Sequence, residues 1–506
     1  MNVLEIIEQT NMPLESYKTL EHKFKRLSHL DHLAAIAGWD EQTKMPKGGG
    51  KVRSEAMATL MEMRHDLLIS DEIGSLIKQA KNESLTSDWE ISNFKLIKKQ
   101  YLKNKSIPSD LVSRQTLASM ASQQAWRTCR ADNNWKDFAP LLEKTLCLTK
   151  ECAEIQSDIF NKSPYDILLD EYSPGIDQSI IDPIFNDLEE FLPSFIQKVC
   201  VKQQDQPLIE ITGEFPPAKQ KELGLALMKV LGFDFNHGRL DESHHPFCGG
   251  VPGDVRITTR YDRNELISSA MAICHETGHA LYEMGLPKEW LSQPVGAALG
   301  MSMHESQSLL MEMQACRSPE FMNVISLQAR LIFGDTEMLS AENLYRQYTR
   351  AKPGFIRVHA DEVTYPLHVI MRYKIEKQLI DGDLSVKDLP EVWNMYMQKY
   401  FGLSTLGNDM DGVMQDVHWP SGCFGYFPAY TFGALIAAQV YQSALTATPE
   451  IPKQIARGDF SSLLGWLRRN VHQYGSKYNF TDLMVKATGQ PLNTHFYIDH
   501  IQKRYG

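Results

Sequence analysis

Apolar residues recur at helical spacing along almost the whole chain. Between Tyr17 and Trp39 they fall at Leu20, Phe24, Leu27, Leu30, Leu33 and Ile36, the three-to-four-residue period of an α-helix. Val363, Leu367, Met371, Ile375 and Leu379 repeat every four positions, and Gly382 follows as a stop signal. Strand patterns are few. Leu208-Ile209-Glu210-Ile211 is one short candidate, and Val255 to Arg260, alternating and β-branched, is another. The prediction is a mainly α protein with one small β-sheet. Breaker clusters at 45–50 and 249–253 are too short to separate independent domains. With no internal repeat or low-complexity segment, residues 1–506 read as a single domain.

Composition narrows the classes. The chain has 506 residues, 43% hydrophobic and 23% charged, which excludes a disordered or fibrous chain. Lys and Arg number 52 against 63 Asp and Glu, a net charge of −11 that opposes broad attraction to nucleic acid or anionic membrane. The local run Lys95, Lys98, Lys99, Lys103 and Lys105 reads as a solvated helix face. No stretch approaches the ~18 apolar residues of a membrane span. The best candidate, Thr431 to Val440, is short and contains Gln439. The start of the sequence lacks a basic region followed by an apolar core. The eight cysteines are scattered with no Cys-x-x-Cys pair, which reads as reduced thiols in a cytoplasmic protein.

One segment carries chemistry. Ala272-Ile273-Cys274-His275-Glu276-Thr277-Gly278-His279-Ala280 contains His-Glu-x-x-His within a helical pattern from about Asn264 to Met284. Asp262 and Glu265 offer a capping arrangement at its start. Residues four apart lie on one helix face, so His275 and His279 can share one metal ion, and neutral imidazoles at this spacing suit zinc. Glu276, beside the first ligand, has the placement of a general base. A catalytic zinc needs a third protein ligand and an open position. The metzincin extension fails, because Tyr282 and Gly285 stand where Gly and His are required. Glu283 is too near on the same helix, and Glu289 lies in a probable turn. Glu305 and Glu312 are seven apart and would share a helix face. Glu305, among small and polar residues, is the favoured ligand, while spacing leaves Glu312 open.

Beyond this helix the chain resembles the carboxypeptidase Taq family of metallocarboxypeptidases. The resemblance rests on His245-Pro246-Phe247, Asp254-Val255-Arg256-Ile257-Thr258, His304-Glu305-Ser306-Gln307, Ile356-Arg357-Val358-His359-Ala360-Asp361 and Gly412-Val413-Met414-Gln415-Asp416-Val417-His418-Trp419. Gly38-Trp39-Asp40-Glu41-Gln42-Thr43 and Trp466-Leu467-Arg468-Arg469-Asn470-Val471-His472 extend it toward both ends. It implies a large helical body with a deep groove, related to the neurolysin and angiotensin-converting-enzyme groups, with the small sheet near the active site. It also implies a homodimer acting on peptides, removing single C-terminal residues with broad tolerance and disfavouring terminal proline. Zinc on His275, His279 and Glu305 is the expected cofactor, with cobalt or manganese as possible substitutes. The resemblance points to Arg357 for the substrate α-carboxylate, with Tyr430 as phenolic partner. A guanidinium fork suits a carboxylate, although a structural ion pair from Arg357 to Asp361 is the alternative. His245 and His418 are candidates for substrate contact or oxyanion stabilisation. His-Glu-x-x-His does not by itself separate this activity from an endopeptidase or a dipeptidyl carboxypeptidase.

Overall fold

The computed structural model describes residues 15–506. Contacts gather the chain into two compact units, each assembled from three separate runs. Among the described residues, the first comprises 15–106, Gly213–Ala298 and Gly458–Leu483; the second comprises Ile107–Thr212, Leu299–Arg457 and Met484–Gly506. No linker marks these units in the sequence, because the chain passes between them several times.

In the first unit, the predicted amphipathic stripe forms a helix over Glu15–Thr43. Tyr17, Leu20, Phe24 and Leu27 pack with Leu68, Ile73, Ile77 and Ile97 in one apolar cluster. The later part of the stripe departs from expectation at Leu33, which is 59% exposed, although Trp39 at its far end is buried.

The sheet has three strands, β1 (Gly238–Glu242), β2 (Phe247–Val251) and β3 (Asp254–Thr259), in the order β1-β3-β2. β3 is the predicted alternating strand. β1 runs parallel to it and β2 antiparallel, with Val251 opposite Asp254 across the Pro252-Gly253 turn. The Gly-rich segment read as a breaker therefore includes part of β2. β1 escaped notice because Leu240 is its one apolar residue. The candidate at Leu208–Ile211 is not a strand. The backbone N–H and C=O of Ile209 pair instead with the Asn343 side chain, at 2.9 Å each. A side-chain amide there supplies the partners a ladder would otherwise provide.

The His-Glu-x-x-His helix spans Ile267–Gly285. Glu265 accepts the Ser268 N–H of its first turn at 3.0 Å, whereas Asp262, the other half of the predicted cap, accepts the Asn264 N–H before the helix begins. Ile273 and Ala280, seven residues apart, join Val255, Ile257 and Met228 in the apolar cluster beneath the sheet. That packing places the sheet against this helix. At 100° per residue, His275 and His279 fall on the opposite side.

The second unit is helical. Leu111 and Ala118 of the helix Ser109–Ala131 pack with Leu148 and Cys152 of Trp135–Phe160. The helix Gly300–Leu309 lies against Pro428–Ala447. The predicted four-residue repeat forms the helix Tyr365–Asp381, ended by Gly382 at φ +87°. Its apolar positions are buried as expected, but His368, Arg372 and Glu376 are buried as completely. Among the described residues, no helix is long and apolar enough to cross a membrane.

Candidate metal centre

One ring nitrogen of His275, one of His279 and one carboxylate oxygen of Glu305 lie within 4.8 Å of one another. Among the described residues this is the group of His, Cys, Asp and Glu side chains placed to hold a metal ion. The imidazole rings stand edge to face, with centroids 4.9 Å apart. Two imidazoles and a carboxylate oxygen are a donor set that fits a divalent metal, and they leave a coordination position open. Glu276, 6% exposed, follows His275 directly.

Glu305 sits where it does because two glycines permit it. Its helix begins at Gly300, whose φ of +66° and closeness to Pro174 and the Tyr172 carbonyl exclude a side chain. At Gly433 an added Cβ would lie 2.7 Å from Glu305 Cγ and 2.9 Å from its Cβ. The helix carrying Glu305 therefore packs directly on bare backbone.

Glu312 is accounted for separately. From Leu310 to Cys316 the backbone adopts a π-helix, whose wider turn rotates residues off the face an α-helix would give them. Glu312 is not part of the group that could hold a metal ion. Glu312, 8% exposed, is ion-paired with Arg317.

Two of the motifs behind the resemblance, those at 356–361 and 412–419, form one hydrogen-bonded assembly in the second unit. Gln415 Oε1 accepts the Arg357 N–H at 2.8 Å, and its Nε2 donates to the Phe355 and Asp411 carbonyls at 3.0 and 2.7 Å. Asp416 accepts from Arg357 Nη2 at 2.8 Å through one oxygen and from Arg372 Nε at 2.8 Å through the other. Arg357 Nη1 also donates to the Tyr365 hydroxyl at 2.5 Å, and the guanidinium lies 4.8 Å from the Tyr430 ring centroid. Arg357 thus takes Asp416 as its ion-pair partner, not Asp361. Asp361 instead accepts the N–H groups of Val363 and Thr364 at 3.0 Å, ahead of the Tyr365–Asp381 helix.

His418 Nε2 lies 3.2 Å from the Tyr430 hydroxyl. Burial, reinforced by the Arg357 charge, pushes the His418 pKa down to about 3, so the ring is neutral. Burial pushes the Tyr430 phenol up, so it keeps its proton and can donate to that nitrogen. Among the smaller influences on Tyr365, Tyr426 and Tyr430, the Glu305 charge acts in the same upward direction.

In the first unit, His245 is exposed in the turn between β1 and β2, and its Nδ1 lies 2.8 Å from the Pro246 carbonyl. Thr258 Oγ1 accepts the Phe247 N–H at 3.0 Å and the Ser243 hydroxyl at 2.8 Å. It thereby interlocks the Asp-x-Arg-x-Thr and His-Pro-Phe segments. Asp254 and Arg256 form an ion pair at 2.7 Å, and the guanidinium lies 4.6 Å from the Trp39 ring centroid.

Reading the sequence assigned no role to Tyr365, Arg372, Glu376, Gln415 or Asp416. One signal was available: His368, Arg372 and Glu376 repeat every four residues, each directly after a member of the apolar row Leu367, Met371 and Ile375. Such a stripe, if buried, must be paired.

Asp416 yields a stability prediction. Burial raises its pKa, but Arg372 and Arg357 outweigh that and hold it well below the usual carboxylate range. Asp416→Asn leaves two buried guanidinium groups facing an amide, and is expected to cost roughly 3–5 kcal/mol in urea unfolding. An unchanged midpoint would show that the arginines find other partners. Because the folded pKa is depressed, this contribution is present in full above the unfolded value of about 3.9 and is lost as pH falls below it.

The carboxypeptidase Taq (M32) metallopeptidase family model matches residues 19–505. The chain belongs to that family. It is a metallocarboxypeptidase, a peptide-bond hydrolase. It is 35% identical to carboxypeptidase 1 of Bacillus subtilis over 488 residues, covering 95% of this chain and 96% of that protein. It is 34% identical to thermostable carboxypeptidase 1 of Thermus thermophilus, covering 97% and 99% respectively. The solved structure of Trypanosoma cruzi metallocarboxypeptidase 1 superposes with a TM-score of 0.96 at 38% identity, covering 97% of this chain and all of that one. The mainly helical fold with one small sheet is the M32 fold.

Proposed function

We propose that this metallocarboxypeptidase holds zinc on His275, His279 and Glu305 and releases single residues from peptide C-termini, with broad side-chain tolerance and little action on terminal proline. The observation that carries this reading is the convergence of two imidazole nitrogens and one carboxylate oxygen beside Glu276 in sequence. When bound, the ion supplies a Lewis acid for the scissile carbonyl and lowers the pKa of a water. Glu276 takes the proton of the attacking water and delivers it to the leaving amine.

Arg357 and Tyr430 are proposed to receive the substrate α-carboxylate. Asp416 and Tyr365 fix the guanidinium in place, which lowers the entropy lost on binding. Tyr430, held protonated, can donate to a carboxylate oxygen. His418, neutral, and His245, whose Nδ1 is engaged by the Pro246 carbonyl, are proposed as substrate-contacting or oxyanion-stabilising groups. The family resemblance supports a homodimer.

The test is a pair of peptides differing only at the C-terminus, one a free acid and one an amide, sampled over time by mass spectrometry. The acid is expected to lose one residue at a time, the amide to persist, and chelator to stop the reaction. Efficient cleavage of the amide would favour an endopeptidase, and losses of two residues a dipeptidyl carboxypeptidase.

A further inference from the structure

Glu376 lies in the Tyr365–Asp381 helix with no exposed surface. Its Oε1 accepts the Trp419 indole N–H at 2.7 Å. Its Oε2 accepts the Tyr165 hydroxyl at 2.8 Å and the Gly425 backbone N–H at 2.9 Å. No step of the hydrolysis uses this carboxyl group. Burial pushes its pKa up to about 7, against the pull of these donors and of Arg372. A carboxyl group serving only to fill space there would be replaceable by an apolar or amide side chain at no loss.

The contacts dictate otherwise. An indole N–H and a backbone N–H can only donate, and they approach different oxygens. A glutamine could not serve both, since either orientation turns its NH₂ toward one of them. The two anchored groups also bracket one segment. Trp419 directly follows His418, and Gly425 precedes Tyr426 and Tyr430 by one and five residues. Gly425 is itself wedged in place, with φ at +87° and room for a Cβ closed off by the Leu168 backbone at 2.7 Å.

We propose that Glu376 is a positioning residue for the carboxylate-receiving segment, setting through Trp419 and Gly425 where His418 and Tyr430 stand. This rests on the reading of Arg357 and Tyr430 as partners of the substrate α-carboxylate. Glu376 touches neither substrate nor metal; it acts through the segment it holds.

The experiment compares steady-state kinetics of the full-length, metal-loaded enzyme with Glu376→Gln, Trp419→Phe and Tyr430→Phe on an N-blocked peptide with a free C-terminus. Metal content is measured in parallel. Glu376→Gln is expected to raise KM about tenfold with little change in kcat or bound metal. A merely structural defect would act differently, lowering kcat through fewer active molecules while leaving KM unchanged, and that result overturns the proposal. If Glu376→Gln does not fold, Trp419→Phe, which removes one anchor from the segment side, carries the same test in the same direction. Tyr430→Phe separates the two levels. A raised KM there with an unchanged KM in the folded Glu376 or Trp419 variant refutes only the positioning role. An unchanged KM in Tyr430→Phe refutes the carboxylate reading on which it rests.

Discussion

Glu276→Gln is expected to keep its full complement of metal and to lose roughly 10³-fold in kcat, within the usual range for removal of a general acid–base. The substitution is nearly isosteric and leaves the ligand side chains of His275, His279 and Glu305 intact. What disappears is the ability to accept a proton at one step and return it at the next. Glu276 is 6% exposed, so its replacement exposes no new surface, and the Ile267–Gly285 helix is held by Ile273 and Ala280 on its other side. Elemental analysis and single-substrate kinetics on the same preparation decide the matter. Turnover within about threefold of the parent would remove Glu276 from the proton path.

Metal occupancy should divide the two glutamates that spacing left undecided. Glu305→Ala takes one donor from three and is expected to weaken metal binding by at least ~100-fold, more than loss of an outer-shell partner does. Glu312→Ala should leave bound metal near its normal level. Its cost is to stability instead, roughly 3–5 kcal/mol, because Arg317 is left without its buried counter-ion. Dialysis against a buffered metal series, followed by elemental analysis and urea unfolding, reads both effects. Metal lost from the Glu312 variant and retained by the Glu305 variant would exchange their roles.

The helical character and the pairing of His275 with His279 were legible in the sequence because each rests on local spacing. Two histidines four apart need only one helix to face the same way. The Glu305 and Glu312 ambiguity arose because an α-helix was assumed to continue where the backbone widens into a π-turn, and nothing in Leu310-Met311-Glu312-Met313 marks that change. Strand β1 was invisible because its pairing is with β3, more than a dozen residues away, and Gly238-Arg239-Leu240-Asp241-Glu242 has no alternation to show. The partners of Arg357 were hidden for a related reason. Asp361 is near in sequence, whereas Asp416 is brought in by tertiary folding 59 positions on. The burial of Arg372 and Glu376 is not legible in the row Leu367, Met371, Ile375 and Leu379, because an apolar face on one side of a helix leaves open what covers the other sides.

The missing side chain at position 433 makes the placing of Glu305 a matter of volume as well as of chemistry. Because the neighbouring helix rests on backbone there, even one methyl group would force Glu305 to shift, without altering a charge. A residue with no functional group of its own thereby fixes where the Glu305 carboxylate stands.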